Sequence, residues 1–514
     1  MWPAHVPRTL DYPRVPAWWL LERNLPRFAE RVAVRDVDAE TLAERRVLTY
    51  EALWRAIRGV ASGLRSAGIR PGSRVGFSLP NSIELIVGFY ATWYAGGVAV
   101  PANPQATAEE QAQQFGDADV CLVIGAVGRP GQAAAGALEV PFIDIAAFRA
   151  MESEMPGQAA DCVPEDDIAV LLYTGGTTGS PKGAMLTHRN IVANTTQFAD
   201  WYAFAPGDET SVCAIPMYHS GGMSGVMNVP LARGATLVVV SKFLAPAVAR
   251  SIQRFGVTRL FGVPTMFIAL LNDETGRTAD YATLRACRTN AAPLPPSVKA
   301  SFDTLVGRPV LVEGYGLTET SPLTHANPIA RAKPGSIGVP LPDTDARIVD
   351  LATDDDVKPG ESGELLIRGP QVMRGYWKRP EATSEVMRDG WLRTGDVATM
   401  DDEGYFAIVD RKKDLINTSG FKVWPREVEE TLYRHPAVKL ALVIGVPDDY
   451  RGEAVKACVV LREGEQADAR TLANFCREHL TAYKVPRVIE FRDSLPTSGA
   501  GKLLRRALRE EHAR

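Results

Sequence analysis

The stretch Tyr173-Thr-Gly-Gly-Thr-Thr-Gly-Ser-Pro-Lys-Gly183 concentrates glycines, hydroxyl side chains and one lysine directly after the apolar run Ile168-Ala-Val-Leu-Leu172. This order predicts a buried strand that leads into a glycine-rich loop. Glycines let a backbone approach phosphate oxygens closely, and successive backbone N–H groups can surround an anion. Lys182 adds a mobile cation. The stretch therefore predicts a binding site for a nucleoside triphosphate.

The loop differs from the two commonest phosphate-binding loops. Pro181 stands immediately before Lys182, where a Walker A loop requires glycine, and the stretch does not fit a dinucleotide-binding GxGxxG turn. The competing interpretation is a mobile surface loop, which is the usual structure of Gly/Ser/Thr clusters. The remaining motifs of the chain disfavour that interpretation.

Length and composition indicate a globular enzyme with at least two domains. The chain has 514 residues, 46% hydrophobic and 23% charged, and its net charge is −4. No basic run is long enough to indicate nucleic-acid binding. Six cysteines lie far apart without metal-ligand spacing, which indicates reduced structural residues and a cytoplasmic location.

No segment has the pattern of a signal peptide or of a membrane span. Residues 1–7 lack a basic region followed by an apolar core. The uncharged run 85–100 is short for a span and ends at Pro101, so we expect a buried helix that leads into a strand. Peripheral membrane contact and a homodimer both stay open at this point.

The first two thirds of the chain alternate between helical and strand patterns. Helical patterns at 50–67, 245–255 and 265–272 alternate with strand patterns such as 73–79 and 236–240. This alternation predicts layers of parallel sheet with helices packed on them. From residue 337 to residue 411, short apolar runs are separated by Gly, Pro and Asp turns, which predicts a small antiparallel β-barrel.

The C-terminal part has a pattern of its own. Helical patterns at 427–434 and 472–480 alternate with strand patterns, over about a hundred residues, the size of a small domain. The charged segment 410–414 connects this part to the rest, and a short charged joint between two cores is where a hinge is expected.

The predicted fold class is therefore α/β. A large N-terminal domain, residues 1–409, would contain layered αβ subdomains and the small β-barrel. A small mobile α+β domain, residues 410–514, would follow it.

Two further segments of the large domain suit the chemistry of a triphosphate. Glu313-Gly-Tyr-Gly-Leu-Thr-Glu-Thr320 offers an aromatic ring, hydroxyl groups and the carboxylate of Glu319. A carboxylate beside a triphosphate suits Mg²⁺, which prefers oxygen ligands. Trp391-Leu-Arg-Thr-Gly-Asp396 ends in a second carboxylate, which could accept hydrogen bonds from two ribose hydroxyls.

Two more segments lie in the small domain and complete a resemblance. They are Asp410-Arg-Lys-Lys-Asp-Leu-Ile-Asn-Thr-Ser-Gly-Phe-Lys422 and the lysine-bearing loop Pro496-Thr-Ser-Gly-Ala-Gly-Lys-Leu-Leu504. Together the five segments resemble, in the same order, the adenylate-forming enzymes: acyl-CoA synthetases, firefly-type luciferases and peptide-synthetase adenylation domains. The resemblance covers residues 173–502 and is closest to bacterial fatty acyl-CoA ligases.

The resemblance implies ATP-binding roles for the matching residues. It places Tyr315 on the adenine base, Thr318 beside the α-phosphate, Glu319 on Mg²⁺, and Asp396 and Arg411 on the ribose. The remaining implied ATP-site residues are Thr174, which is also an implied metal ligand, with Gly175, Gly176, Thr177, Thr178 and Lys182 around the phosphates, Ala291, Ala292 and Pro293 at the adenine, and Gly314 and Gly316 beside Tyr315.

The resemblance also implies a division of labour within the small domain. Lys502 would bridge the substrate carboxylate and the α-phosphate during adenylation, and Asp410 would be the hinge about which the domain turns between two half-reactions. Ser419 and Gly420 would line the tunnel for the pantetheine arm of coenzyme A. Lys422 matches a variable position and could bind the cofactor or only support the domain interface.

The acyl substrate is predicted from Ala214-Ile-Pro-Met-Tyr-His-Ser-Gly-Gly-Met-Ser-Gly-Val-Met227. Peptide-synthetase domains usually carry Asp where this chain has His219, so an amino-acid substrate is disfavoured; the competing interpretation of His219 is a core histidine with a satisfied hydrogen bond. Glycines leave room and methionines form adaptable apolar walls, which favours an extended acyl chain. The predicted substrate residues are Tyr218, His219, Gly221, Gly222, Met223, Gly225 and Val263.

The resulting functional prediction is a two-step ligase with three small-molecule substrates: ATP, a carboxylic acid and coenzyme A. A medium- or long-chain fatty acid would form acyl-AMP with release of pyrophosphate, and coenzyme A would then form the thioester with release of AMP. An aryl acid is the second substrate class. Three less favoured functions are a ligase that loads a carrier protein, a luciferase-type oxidase and a non-catalytic nucleotide sensor.

Overall fold

The structure is a computed structural model that describes residues 2–174, 181–419, 421–448, 451–498 and 503–512. It is a mixed α/β protein, with a large N-terminal domain built on parallel sheets and a smaller C-terminal domain. The predicted fold class is confirmed at this level.

The largest sheet has parallel strands at its centre, as the alternating pattern predicted. Its central strands pair in parallel. Its two edges are antiparallel. In order across the sheet, the strands are Val339–Pro340, Leu323–Ala326, Leu311–Gly316, Ala286–Thr289, Arg259–Gly262, Thr210–Cys213, Thr236–Val240, Val32–Val37 and Glu44–Thr49.

A second sheet carries the strands on both sides of the glycine-rich loop. It is parallel except where Lys182–Thr187 pairs antiparallel with Ile168–Thr174 and with Gly375–Tyr376. In order, its strands are Gly375–Tyr376, Lys182–Thr187, Ile168–Thr174, Val98–Pro101, Arg74–Ser78, Val120–Gly125 and Phe142–Asp144.

The segment predicted as a β-barrel forms an antiparallel sheet whose described strand pairs do not close into a ring. The long strand Trp391–Met400 pairs on one side with Gly363–Arg368 and on the other with both Met387–Arg388 and Phe406–Arg411. The strand Asp345–Val349 completes the sheet at its outer edge. Short strands and turns gave the same sequence pattern that a barrel would give, because the pattern records strand lengths and not closure.

The C-terminal domain has its own sheet and its own apolar core. Its core includes Ile416, Val428 and Val459, which are buried. The strands are Phe421–Val423, Ile416–Thr418, Gly452–Leu461 and Val438–Asp448 in antiparallel order, with Val488–Phe491 parallel to Gly452–Leu461.

The helices begin and end where local sequence signals place them. Thr49 caps the helix Tyr50–Ser66 by accepting a hydrogen bond from the Ala52 backbone N–H. The α-helices are Trp19–Glu22, Leu25–Phe28, Tyr50–Ser66, Ile83–Tyr94, Ala108–Asp117, Pro130–Ala137, Ile145–Ala150, His188–Trp201, Val229–Ala232, Ala245–Phe255, Pro264–Asn272, Glu274–Thr278, Pro296–Val306, Pro380–Val386, Pro425–Tyr433, Ala469–His479 and Arg505–His512. Gly221–Asn228 is a π-helix, and short 3₁₀ turns form at Met151–Ser153, Thr318–Thr320, Ile329–Arg331 and Lys412–Asp414.

The uncharged run 85–100 is a buried helix followed by a strand, as predicted. Every residue of the helix Ile83–Tyr94 is buried, and the strand Val98–Pro101 follows it. None of the helices within the described ranges combines the length and the apolar character that a membrane-spanning helix needs.

Candidate active site

The two residues that flank the glycine-rich loop are fixed by a hairpin and a helix cap. Thr174 and Lys182 lie opposite each other in antiparallel register, and the Thr174 hydroxyl donates to the Lys182 carbonyl at 3.5 Å. The helix His188–Trp201 begins at a capping box, in which Thr187 and Asn190 satisfy each other's backbone N–H groups. The base of the loop is therefore rigid.

Six of the predicted site residues lie outside the described residues. They are Gly175, Gly176, Thr177, Thr178, Gly420 and Lys502.

Tyr376 links the cation of the loop to the predicted metal-binding carboxylate. Its hydroxyl donates to Glu319 Oε1 at 2.7 Å, and Lys182 Nζ lies 5.2 Å from the centroid of its ring. Strand pairing holds this geometry, because Tyr376 lies opposite Ala184 in the register of the second sheet. Burial, with the negative charge of Glu319, raises the pKa of Tyr376, so the hydroxyl remains a neutral donor.

Tyr376 was not among the site residues predicted from the sequence. The residue stands in the run Arg374-Gly375-Tyr376-Trp377, which has no spacing typical of a phosphate or metal site. Only the strand pairing, which joins segments almost two hundred positions apart in the chain, shows that it faces Glu319.

Replacing Tyr376 with Phe should weaken the binding of Mg·ATP by about 5- to 30-fold, the effect of losing one hydrogen bond to a charged group. The phenyl ring keeps its contact with Lys182, so the variant isolates the hydroxyl. Titration calorimetry with ATP at several Mg²⁺ concentrations measures the effect. Tyr405→Phe is the matched control, because the Tyr405 hydroxyl donates to the Arg331 carbonyl, outside the site, at 2.7 Å. Equal affinities for the two variants would contradict a role for Tyr376 at Glu319.

Asp396 lies between Tyr315 and Arg411, two residues that were predicted to share its ligand. The Tyr315 hydroxyl donates to Asp396 Oδ2 at 2.5 Å, and Arg411 Nε lies 3.2 Å from Asp396 Oδ1. Arg411 and Asp396 are opposite residues of neighbouring antiparallel strands. A carboxylate has about four acceptor positions, so two of those on Asp396 remain for the hydroxyls of a ribose.

The backbone around Tyr315 is compact because glycines flank the ring. A Cβ added to Gly316 would lie 1.8 Å from the Pro322 carbonyl oxygen, and one added to Gly314 would lie 3.1 Å from the His325 carbonyl oxygen. Gly316 therefore cannot carry a side chain in this fold. The turn Thr318–Thr320 follows directly and carries Thr318 and Glu319 to the same end of the strand Leu311–Gly316.

The predicted adenine segment leaves the C-terminal end of a neighbouring strand. Ala291, Ala292 and Pro293 follow Ala286–Thr289, which pairs in parallel with the strand of Tyr315. Ala291 has a φ of 72°, and Ala291 and Pro293 are exposed. The segment and Tyr315 thus lie at the carboxyl ends of neighbouring strands, where ligands of open α/β sheets bind.

Glu313 is a buried carboxyl group on the strand of Tyr315. It is 6% exposed, and burial raises its pKa to about 8. In the folded state the group keeps a proton that the unfolded chain releases near pH 4.5, so stability is lost as pH rises from about 4.5 to 8.

Glu313→Gln should remove that loss, because the amide is neutral at every pH. We expect the stability of the variant relative to wild type to increase by about 1.4 kcal/mol per pH unit between pH 5 and pH 8. Urea unfolding at four pH values in this range measures the difference. Stability profiles that run parallel would contradict a protonated Glu313.

A cleft of about 270 Å³ lies beside Glu319 and Tyr376. Glu319 and Tyr376 line it on one side, Thr394 and Gly395 line it next to Asp396, and Lys412 reaches it from the hinge segment. Its complete lining is Leu317, Glu319, Glu364, Tyr376, Glu385, Val386, Leu392, Arg393, Thr394, Gly395 and Lys412.

The predicted acyl segment forms a π-helix that is packed tightly against the large sheet. A Cβ on Gly222 would lie 2.0 Å from the Pro216 carbonyl oxygen, so this glycine is required by packing. Met223 and Val263 are buried in one apolar cluster with Val226, Met227 and Phe261. The segment is apolar and buried, and Gly222 serves the backbone; the role of the segment in binding an acyl chain stays a prediction.

His219 lies within the acyl segment, two residues before the π-helix, and its half-buried imidazole is neutral. Burial lowers its pKa to about 4, so it is uncharged at neutral pH. Its ring lies 4.7 Å from the ring of Tyr218, centroid to centroid. No hydrogen bond joins this ring to another group of the described chain, which does not match a core histidine with a satisfied hydrogen bond.

The predicted hinge residue Asp410 is held by residues that follow it in the chain, and one of them, Arg426, also donates from its guanidinium to the Ile408 carbonyl, before the predicted boundary. Its carboxylate accepts the backbone N–H of Arg411 at 2.7 Å and that of Arg426 at 2.8 Å. Arg505, on the C-terminal helix, lies 3.1 Å from the same carboxylate. Arg505 was not predicted as a site residue.

Within the described part of the chain, no hydrogen bond or ion pair joins Ser419 or Lys422 to the predicted ATP-site residues. Both are exposed, and the Ser419 N–H donates to the Arg451 carbonyl, within the small domain, at 2.8 Å. Ser419 has a φ of 52°, a strained value for a residue other than glycine. Their role in binding coenzyme A stays a prediction.

Comparison with known proteins gives consistent matches along the chain. Residues 21–377 match the family described as AMP-binding enzyme, and residues 427–502 match the family described as AMP-binding enzyme C-terminal domain. A long-chain-fatty-acid–CoA ligase of Bacillus subtilis is 38% identical, over 99% of this chain and 97% of the relative. A feruloyl-CoA synthase of Amycolatopsis is 39% identical, over 90% and 93%.

The fold also matches solved structures. The o-succinylbenzoate coenzyme A synthetase of Bacillus subtilis, in complex with ATP and a magnesium ion, superposes with a TM-score of 0.84 at 29% identity, over 96% of this chain and 99% of that one.

Proposed function

The chain belongs to the AMP-binding enzyme family, as an adenylate-forming acid–thiol ligase, and from this premise we propose that it activates a medium- or long-chain fatty acid with ATP and transfers the acyl group to coenzyme A. The first half-reaction forms acyl-AMP and pyrophosphate. The second forms the thioester and releases AMP.

One observation carries the proposal: side chains of motifs that are far apart in the chain contact one another in two small groups. Lys182 and Glu319 contact the same tyrosine, Tyr376, and the neighbouring Asp396 is contacted by Tyr315 and Arg411. A cation, an aromatic ring and two carboxylates at these positions suit the phosphates, base, metal and ribose of one nucleotide. If the motif residues served only to stabilise the fold, these polar groups would not need to lie together.

Glu319 fits a Mg²⁺ ion that is bound mainly through its substrate. The described residues contain no cluster of three or more His, Cys, Asp or Glu side chains, so a protein cage is absent from them. Mg²⁺ usually binds through one or two carboxylates together with substrate phosphates, which a single Glu319 beside Lys182 satisfies. When bound there, the ion would reduce the charge of the pyrophosphate leaving group.

The residues of the chain have separable tasks in the first half-reaction. Two anions, the acid and the triphosphate, must approach each other, so the site needs cations and fixed geometry. Lys182 would offset the negative charge of the phosphates. Lys502 would reduce the repulsion between the substrate carboxylate and the α-phosphate. Asp396, held by Tyr315 and Arg411, would orient the ribose.

The domain boundary at 409/410 is part of the proposal. A small domain that turns about Asp410 would present Lys502 for adenylation and then Ser419 and Gly420 for the thiol. Arg426 supports a pivot at this position, because its backbone N–H donates to Asp410 and its guanidinium donates to the Ile408 carbonyl on the other side of the boundary.

A substrate panel tests the proposal. With ATP and Mg²⁺, we expect pyrophosphate release that depends on fatty acids of medium to long chain length, and acyl-CoA when coenzyme A is added. Acyl-AMP without acyl-CoA would point to a carrier protein as acceptor. Absence of pyrophosphate release with every acid would refute the proposal.

An aryl acid is the second candidate substrate class. The 39% identity to a feruloyl-CoA synthase supports it, whereas the relatives named as long-chain-fatty-acid–CoA ligases support the aliphatic class. Ferulic acid in the same panel distinguishes the two classes by the ratio of kcat/KM values.

A further inference from the structure

Arg288 is a buried arginine behind the acyl segment. It is 6% exposed, and no carboxylate of the described residues lies within ion-pair distance of its guanidinium. Nη2 donates to the Gly225 carbonyl at 2.7 Å, whereas Nη1 is buried and has no hydrogen-bond partner in the described chain. A buried cation with an unused donor is unfavourable unless a further group satisfies it.

Three aromatic rings hold the guanidinium in place. Its central carbon lies 3.3 Å from the ring centroid of Phe198, 4.2 Å from that of Phe261 and 5.3 Å from that of Tyr202. Cation–π contacts stabilise the charge but leave the N–H groups without an acceptor. The Tyr202 hydroxyl is also buried without a partner in this part of the structure. Two polar atoms are thus available at one buried position.

Arg288 lies against the glycines of the predicted acyl-binding segment. A Cβ on Gly221 would lie 3.6 Å from the Phe261 ring, and one on Gly225 would lie 3.0 Å from that ring and 2.6 Å from Arg288 Nη2. Phe261 and Arg288 are opposite residues of neighbouring parallel strands. Gly221 and Gly225 of the π-helix therefore face Phe261, and Gly225 also contacts Arg288.

We propose that Arg288 binds a carboxylate at the far end of the acyl substrate, so that the enzyme takes α,ω-dicarboxylic acids with an apolar chain between their two acid groups. The proposal rests on the ligase function and specifies its substrate. A carboxylate supplies both an acceptor for Nη1 and a charge opposite to that of the guanidinium, and such charge-assisted hydrogen bonds are roughly twice as strong as neutral ones. A water molecule would supply only the acceptor.

Burial lowers the pKa of Arg288 to about 9, so the side chain is still charged at neutral pH. Two buried acids lie in this part of the large sheet: Glu209 is paired with Arg259 at 2.6 Å, and Glu313, whose pKa burial raises to about 8, is protonated at neutral pH. The charge of Arg288 is therefore available to a ligand.

The test compares matched pairs of acids on the intact enzyme. Each monocarboxylic acid from hexanoic to hexadecanoic acid is assayed against the α,ω-dicarboxylic acid of the same length, as pyrophosphate release at saturating ATP. We expect the wild-type kcat/KM for the dicarboxylic acid to equal or exceed that of its partner at one or more lengths. In Arg288→Met, the ratio of dicarboxylic to monocarboxylic kcat/KM should fall by about 10- to 100-fold, as expected for one charged contact.

Controls separate this role from a structural one. Arg285→Met removes an exposed arginine three residues away, which pairs with Asp208 at 2.8 Å, and should leave the ratio unchanged. If Arg288→Met does not fold, Arg288→Lys, which keeps the charge but loses the second nitrogen donor, should still lower the ratio relative to wild type, by less than 10-fold. Rejection of every dicarboxylic acid by the wild type, or an equal loss for both acids in the variants, would overturn the proposal. No turnover of any acid would instead refute the ligase function.

Discussion

Replacing Lys502 with Ala is expected to abolish formation of acyl-AMP while leaving the second half-reaction close to the wild-type rate. Lys502 lies outside the described residues, but its loop is closed at the base. Thr497 and Leu503 form an antiparallel bridge, and the Leu504 N–H donates to the Pro496 carbonyl at 2.9 Å. A loop tied at both ends can present one lysine to the reacting groups. Loss of one preorganised donor at a developing charge typically costs about 100- to 1,000-fold in rate.

Two separate assays isolate the two half-reactions of this variant. ATP-dependent pyrophosphate release measures adenylation, and synthesis of the thioester from supplied acyl-adenylate and coenzyme A measures the second step. Lys439→Ala, on an exposed surface of the same domain, is the control and should affect neither. An equal loss in both assays for Lys502→Ala would show that the lysine does not serve adenylation alone.

The fold could largely be predicted because local patterns and tertiary packing agree. The helix predicted at 245–255 forms at Ala245–Phe255, and the strand predicted at 236–240 forms at Thr236–Val240. In both elements the spacing of apolar residues matches the face that packs on the core. The predicted barrel was wrong in its closure, because closure depends on which strand edges meet and not on the pattern within a strand.

The motif residues of the site could be predicted, but their partners could not. Glu319 and Asp396 stand in sequence segments with recognisable chemistry. Tyr376 and Arg288 stand in segments that look like ordinary strands, and only pairing between distant strands places Tyr376 on Glu319 and Arg288 behind Gly225. Sequence shows which groups can react, whereas contacts between distant segments determine which groups orient them.

Arg505→Met is expected to destabilise the small domain by about 3–5 kcal/mol. The substitution removes a guanidinium that pairs with three buried carboxylates. Arg505 lies 2.6 Å from Glu429, 3.1 Å from Asp410 and 3.3 Å from Asp414. Burial raises the pKa of Asp410 and that of Glu429, so both carboxylates depend on this arginine for their charge. Hydrogen exchange in the strand Gly452–Leu461 measures the loss, with Arg506→Met, on the exposed side of the same helix, as the control.

The same variant should affect catalysis differently from Lys502→Ala. Arg505 connects the helix after the lysine loop to the hinge, so its loss disturbs the domain that serves both half-reactions, and both should slow by similar factors. Lower pH should reduce the difference in unfolding free energy between wild type and Arg505→Met. Carboxyl groups with raised pKa values take up protons on acidification and then no longer need the arginine. If Arg505→Met slowed adenylation alone, or if the gap widened on acidification, the cluster would not be what fixes the hinge. If both half-reactions slow by similar factors and the stability difference shrinks at low pH, these buried charges would be what positions the small domain for both steps.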